Sequence, residues 1–325
     1  MLKILFVYQK PVSFVKVDLE ILQRHFDVIP HQWTRMGDIK NLLKIVKYVA
    51  NADLSFVWFA GRHAACVVFL SKFFKKKSIV VASGYSVANL PEINYGLLIS
   101  PKTARNVKYV LENANMIIAV SNFNKKEILK YAHPKRLELV YHGFDYNKYR
   151  PYGMKDNLVL SVGPVTNSNL KRKGLETFVR AAKFLPDVKF VLIGRHIDDS
   201  IGYLKSIASA NVKFTGFVSD EDLLKYYQRA KVYVQVSAHE GFGCSLAEAM
   251  LCECIPVVTN KAAIPEVVGD TGFYVPYGDP RMTAEAIKEA LKSDKGKEAR
   301  ERIKRMFPIE RREKELVSKI RKLIR

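Results

Sequence analysis

The sequence predicts an α/β protein made of two Rossmann-like, doubly wound units in tandem. Three observations point there. The chain has 325 residues, long for a single core and suited to two domains of roughly 150 residues each. Short β-branched runs alternate with helical patterns, as in parallel strands joined by crossover helices. The apolar periodicity also lapses at Asp145-Tyr146-Asn147-Lys148-Tyr149-Arg150-Pro151-Tyr152-Gly153, a run of turn formers that sets the expected boundary near 150.

In order along the first half, 1–150, strands are expected at 2–8, 54–59, 78–82, 116–120 and 137–141, with helical patterns at 13–25, 39–49 and 125–130. The second half, 151–325, repeats the scheme with strands at 157–162, 188–193, 212–215, 232–236 and 255–258. It closes on a basic tail, 295–325, with 13 Lys and Arg against 5 Asp and Glu, read as a helix with a solvated face. Ligands of open parallel sheets bind beyond the carboxyl ends of the strands, so two facing units are expected to leave a cleft that holds the site.

Composition removes several classes of function. Apolar residues make up 48% of the chain and charged residues 26%, an ordinary globular balance rather than a disordered one. The densest apolar run, 64–70, is closed by Lys72 and by Lys75, Lys76 and Lys77, well short of the roughly 20 apolar residues of a membrane span. The opening Met1-Leu2-Lys3-Ile4-Leu5-Phe6-Val7-Tyr8 reaches Lys10 and Pro11 too soon for a secretory leader and reads as the first strand. Cys66, Cys244, Cys252 and Cys254 form neither a disulfide framework nor a metal set; they read as structural thiols in a reducing cytoplasm.

Net charge is +21, and the first half carries more of it, with 23 basic residues against 10 acidic. Such an excess suits a solvated surface, or attraction to phosphorylated substrates or to an anionic membrane surface. Nucleic acid is not expected as a partner, because no helix-turn-helix, zinc-finger or aromatic RNA-binding signature accompanies the basic residues.

The chemistry concentrates after the strand at 232–236, in Ser237-Ala238-His239-Glu240-Gly241-Phe242-Gly243-Cys244-Ser245-Leu246-Ala247-Glu248-Ala249-Met250. Gly241 and Gly243 permit a tight turn, and a helix starting near Ser245 would present its first amides to an anion. Glu240 before the turn and Glu248 one turn into the helix could accept hydrogen bonds from hydroxyls of one ligand whose phosphate lies between them.

This segment, with Glu240 and Glu248 eight apart and Cys254-Ile255-Pro256-Val257-Val258-Thr259 following, resembles the signature of the retaining GT-B glycosyltransferases, specifically glycosyltransferase family 4. Other parts fall in the family's order: Leu160-Ser161-Val162-Gly163, Lys171-Arg172-Lys173-Gly174, Phe190-Val191-Leu192-Ile193-Gly194 and Val212-Lys213-Phe214-Thr215-Gly216-Phe217. The resemblance covers 115–280 well and the first half poorly. It implies a GT-B fold with an acceptor-binding first domain and a second domain that binds a nucleoside diphosphate sugar.

The implied reaction moves a hexose-type sugar from a UDP-, GDP- or ADP-sugar to a hydroxyl of a sugar, glycan or lipid-linked acceptor, with retention and without a metal or other cofactor. Glu240 would meet the donor sugar, Glu248 the ribose, residues 241–246 the sugar and phosphate through their amides, and Lys173 the diphosphate leaving group. Phe217 would stack near the base, with a place in the core as the alternative.

Two departures stand out. The family usually has an Arg after the glycine of the first strand of the second domain, whereas here Pro164 follows Gly163 and an extended loop, 165–170, precedes the basic cluster. Arg172 and Lys171 are the alternatives for the missing cation. In the first half neither the family's glycine-rich loop nor its His is found, and His63 in Gly61-Arg62-His63 is the candidate acceptor contact or base. His239 reads as shaping the turn, and Glu266 as part of the architecture. A sugar-nucleotide epimerase and a non-catalytic sugar-nucleotide sensor stay open beside the transferase. Cytoplasmic location, with peripheral attachment to a membrane, is the matching expectation.

Overall fold

The computed structural model describes residues 1–34 and 39–325. The chain divides into two compact units, Met1–Gly143 with Ile309–Arg325, and Phe144–Pro308.

The first unit is built on β1 (Lys3–Tyr8), β2 (Asp27–Gln32), β3 (Leu54–Trp58), β4 (Lys77–Val81), β5 (Met116–Ala119) and β6 (Leu137–Leu139). All are parallel, in the order β2-β1-β3-β4-β5-β6. The helices are α1 (Ser13–His25), α2 (Ile39–Asn51), α3 (Arg62–Phe73), α4 (Gly84–Val87), α5 (Pro101–Asn113) and α6 (Asn122–Tyr131). Strand residues alternate between the two faces of the sheet. Leu5, Val7, Val57, Val80 and Ile117 form one core with Ile45 and Val49 of α2, Val67 and Val68 of α3, Val107 and Leu111 of α5, and Ile128 of α6. These four helices therefore cover one face.

The second unit carries β7 (Asp156–Val162), α7 (Asn167–Arg172), α8 (Leu175–Ala181), β8 (Lys189–Ile193), α9 (Ser200–Ile207), β9 (Val212–Gly216), α10 (Asp220–Arg229), β10 (Ala230–Gln235), α11 (Cys244–Leu251), β11 (Ile255–Thr259), α12 (Ile264–Val268), β12 (Phe273–Val275), α13 (Pro280–Lys292) and α14 (Gly296–Met306). Its sheet is parallel, in the order β12-β11-β10-β7-β8-β9, over a core that includes Val159, Phe178, Phe190, Leu192, Val232, Val257 and Ile287. Chain order reverses between β7 and β10 here, and between β1 and β3 in the first unit. Those reversals are where an open α/β sheet leaves room for a ligand.

Four expectations are corrected. The boundary falls at Gly143 rather than near 150, because the amide of Val140 bonds the carbonyl of Ala119 and keeps the end of β6 in the first sheet. The terminal helix α15 (Ile309–Ile324) belongs to the first unit, and its basic residues are not all solvated. Arg312 is buried, with Nε 2.6 Å and Nη2 2.8 Å from the two carboxylate oxygens of buried Asp18, while Nη1 donates to the carbonyls of Val140 and Tyr141. Third, the loop expected at 165–170 winds into α7, whose first turn is capped by the hydroxyl of Thr166 accepting from the amide of Asn169 at 3.2 Å. Fourth, β2 and β12 are additional strands; both lie at sheet edges, where the Pro30 of β2 costs no ladder bond on its open side.

Candidate functional site

At the reversal in the second unit, the carboxyl ends of β7 and β10 bring Gly163, Arg172, Lys173, Ser237 and Glu240 together. The Glu240 carboxylate accepts from Lys173 Nζ at 2.9 Å, Ser237 Oγ at 3.2 Å and Arg172 Nη1 at 3.3 Å. Burial pushes this carboxyl up, but the Lys173 ammonium and the Arg172 guanidinium outweigh it and hold the acid at about 2. Glu240 is thus an anion at any physiological pH.

Each cation has its own support. Gly163 lets the Lys173 stem pass, since a Cβ there would stand 2.5 Å from Lys173 Cδ. Arg172, at the end of α7, is buried; its Nε donates to Asn169 Oδ1 at 2.9 Å and its Nη1 to the carbonyl of His239 at 3.3 Å. Asn169 is anchored in turn by donating to the carbonyl of Pro164 at 2.7 Å. Of the two alternatives for the second cation, Arg172 is therefore the one beside Glu240, while the Lys171 side chain is exposed. Asn169 and Ser237 had no role in the sequence reading. Asn169 carries no motif and acquires its role only because α7 replaces the expected loop.

The helix that follows the turn is α11, entered through Gly243 at φ 107°, a conformation costly for any residue with a Cβ. The first intrahelical bond is from the amide of Ala247 to the carbonyl of Gly243, so the amides of Cys244, Ser245 and Leu246 lie ahead of the ladder. The side chains of this stretch do other work. Phe242 packs on Phe144 and Phe307, Leu246 is fully buried, Cys244 is half-buried, and Ser245 accepts from the Tyr233 hydroxyl at 2.9 Å.

Glu248 is buried inside α11. Burial pushes its carboxyl up to about 7, against hydrogen bonds from Tyr227, at 3.2 Å, and Tyr149. Those phenols are themselves held far above their ordinary range by burial and by the nearby carboxylate, so both remain donors. Tyr233 feels both Glu240 and Glu248, which places the two acids in one electrostatic neighbourhood without direct contact.

Phe217 lies apart from this cluster, exposed beyond edge strand β9 with the Arg195 guanidinium 4.4 Å from its ring centroid. Glu266 lends its backbone carbonyl to Arg302 Nη2 at 2.8 Å. Among the described residues no group of three His, Cys, Asp or Glu side chains converges as a metal set.

His63 lies in the first unit, at the second position of α3. It lines a cavity of 770 Å³ with Gln9, Lys10, Trp33, Phe59 and Tyr85, beyond the carboxyl ends of β1 and β3. Its Nε2 is 2.8 Å from the carbonyl of Trp58, and since a carbonyl only accepts, Nε2 carries the proton and Nδ1 a lone pair. Burial lowers the pKa and favours this neutral ring. His63 Nδ1 and Trp33 Nε1, an acceptor and a donor, are both buried with no hydrogen-bond partner among the described residues, and the rings are 6.4 Å apart. Trp33 has no neighbouring motif and was not singled out from sequence.

Two parallel doubly wound units, the second with a paired acid and cations at its strand reversal, define the GT-B fold. Residues 150–306, which make up nearly all of the second unit, match the model of the family described as Glycosyl transferases group 1. Over 87 residues the chain is 37% identical to O-antigen chain mannosyltransferase B of Escherichia coli, covering 27% of this chain and only 23% of that protein. The chain thus spans about a quarter of the length of that curated relative. It is 27% identical over 303 residues to the capsular polysaccharide biosynthesis glycosyltransferase CapM of Staphylococcus aureus, covering 83% of this chain and 77% of that one. The solved structure of Anabaena HepE in complex with UDP and glucose superposes with a TM-score of 0.84 at 18% identity, over 99% of this chain and 100% of that one.

Proposed function

We propose that the protein is a retaining glycosyltransferase that moves a hexose-type sugar from a nucleoside diphosphate sugar to an acceptor hydroxyl on a sugar, glycan or lipid-linked carrier. The observation that carries this reading is the convergence of Lys173 and Arg172 on Glu240 at the strand reversal. Loss of a nucleoside diphosphate builds negative charge on phosphate oxygens, and two preoriented cations beside the first amides of α11 stabilise that charge. In the free protein Glu240 balances them; with donor bound, the diphosphate shares them and the Glu240 carboxylate faces the sugar.

Double displacement needs two carboxylates flanking the glycosidic bond, and only Glu240 is expected beside the sugar, because Glu248 is assigned to the ribose. The route that fits is therefore departure and attack on one face of the sugar, with retention. Glu248 takes the ribose hydroxyls, exchanging its tyrosine partners for ligand donors. UDP is the first donor base to test, given the UDP and glucose bound in HepE.

The acceptor enters the cavity of the first unit, where one hydroxyl can donate to His63 Nδ1 and accept from Trp33 Nε1. The four free thiols and the basic first unit suit work in the cytoplasm at a membrane surface.

The test is a thermal-shift series with UDP-, GDP- and ADP-sugars followed by incubation with labelled donor. A ligand that binds only the folded chain raises its apparent stability. The expected result is a shift with one base, transfer or slow donor hydrolysis, and loss of both in Lys173→Ala. Binding without any turnover would refute the transferase reading in favour of a sensor.

A further inference from the structure

The four helices on one face of the first sheet carry an unusual surface. Between 42 and 131 the chain has 13 Lys and Arg against 4 Asp and Glu, a net +9 out of the first unit's +16. Five large apolar side chains left in water are on the same face. Leu43 of α2 is 63% exposed, and Phe69 and Phe73 of α3 are 57% and 70% exposed, with Leu42 of α2 and Leu129 of α6 beside them in this class. On the opposite face, formed by α1 and α15, no large apolar residue of the described chain is exposed.

Phe69 and Phe73 are four apart and so stand one above the other on the outer ridge of α3. Around them lie Lys72 and the turn of Lys75, Lys76 and Lys77, and α2, packed beside α3, adds Lys44 and Lys47. The ridge faces away from the core of buried Ala64, Val67 and Val68, so neither ring is needed for folding.

We infer that this face docks on an anionic lipid bilayer. Lysine ammonium groups at the headgroup level attract anionic lipid, while their stems and the phenylalanine rings enter the acyl boundary. A polyanion such as RNA would neutralise the lysines but leave Leu43, Phe69 and Phe73 in water, which is why lipid is the occupant that matches both halves of the surface. Among the described residues no helix is long and apolar enough to cross a membrane, so the attachment would be peripheral. The inference deepens the membrane part of the proposed function and depends on it only for its biological use.

The experiment is co-sedimentation of the full chain with vesicles of phosphatidylcholine alone or mixed with equimolar phosphatidylglycerol, in the absence of donor and acceptor. Binding is expected only to the anionic vesicles, weakened about tenfold or more in the Phe69→Ser, Phe73→Ser double variant and made undetectable by reversing Lys75, Lys76 and Lys77 to Glu. Donor hydrolysis in solution should be the same in all three proteins, which shows that the variants fold and separates this result from any failure of the transferase reading. Equal binding to neutral and anionic vesicles, unchanged binding of the phenylalanine variant, or preferential binding of RNA over anionic vesicles in competition would each overturn the inference.

Discussion

Replacing Glu248 by Gln should stabilise the free protein while disabling the nucleotide binding proposed for that acid. Burial moves the Glu248 carboxyl from the ordinary 4.5 to about 7. Below pH 4.5 the acid is protonated in both the folded and the unfolded chain, and no penalty applies. Between 4.5 and about 7 only the unfolded chain releases its proton, so stability falls as pH rises; above 7 the penalty is complete. At about 1.4 kcal/mol per pH unit, the gap amounts to about 3 kcal/mol. Gln keeps an acceptor for Tyr227 and Tyr149 and has nothing to ionise.

The assay is urea unfolding at a series of pH values, reading the variant against the wild type so that other titrating groups cancel. Both tryptophans, Trp33 and Trp58, lie in the first unit, so unfolding of the second is the circular-dichroism transition without a tryptophan signal. The variant's advantage should grow by about 3 kcal/mol between pH 4.5 and 8, and its nucleotide-dependent stabilisation should vanish. A difference that stays constant over that range would refute the account of Glu248 as an acid kept at the cost of stability for its ligand.

Other outcomes follow from the same geometry. Gly163→Ala puts a methyl group 2.5 Å from Lys173 Cδ, so steady-state kinetics should show kcat/KM for the donor reduced about a hundredfold with little change in melting temperature. Asp18→Ala strands the buried Arg312 guanidinium and should cost the first unit about 3–5 kcal/mol in urea unfolding followed by tryptophan fluorescence. His63→Phe removes an acceptor that a bound hydroxyl would use and should raise the acceptor KM about tenfold or more, leaving donor hydrolysis unchanged.

What was legible in the sequence was what is local. Glu240, Gly243 and Glu248 fall within one span of nine residues after one strand, so their arrangement follows from a single turn and its helix. Lys173 was legible for the same reason, as part of a short basic run before Gly174. Arg172 could not be told from Lys171 by sequence because the choice depends on α7, where one helical step decides which side chain points at Glu240 and which at water. In the cavity pair, His63 was legible from its place just after a strand, in Gly61-Arg62-His63, whereas Trp33, just past β2, carries no local signal and meets it only through the sheet. β2 reads as polar chain with a proline in it, and only pairing with β1 makes it a strand.

The most distant case was Arg312, which looked like one more surface charge in a basic tail and proved to be the partner of Asp18, 294 positions earlier. That span has a consequence for biosynthesis. Asp18 emerges from the ribosome early, but the guanidinium it needs is translated after the whole of the second unit. Nascent chains ordinarily complete their domains from the amino end. Here the later-made unit can be finished first, while the earlier one waits with an unneutralised acid until the last helix has been synthesised.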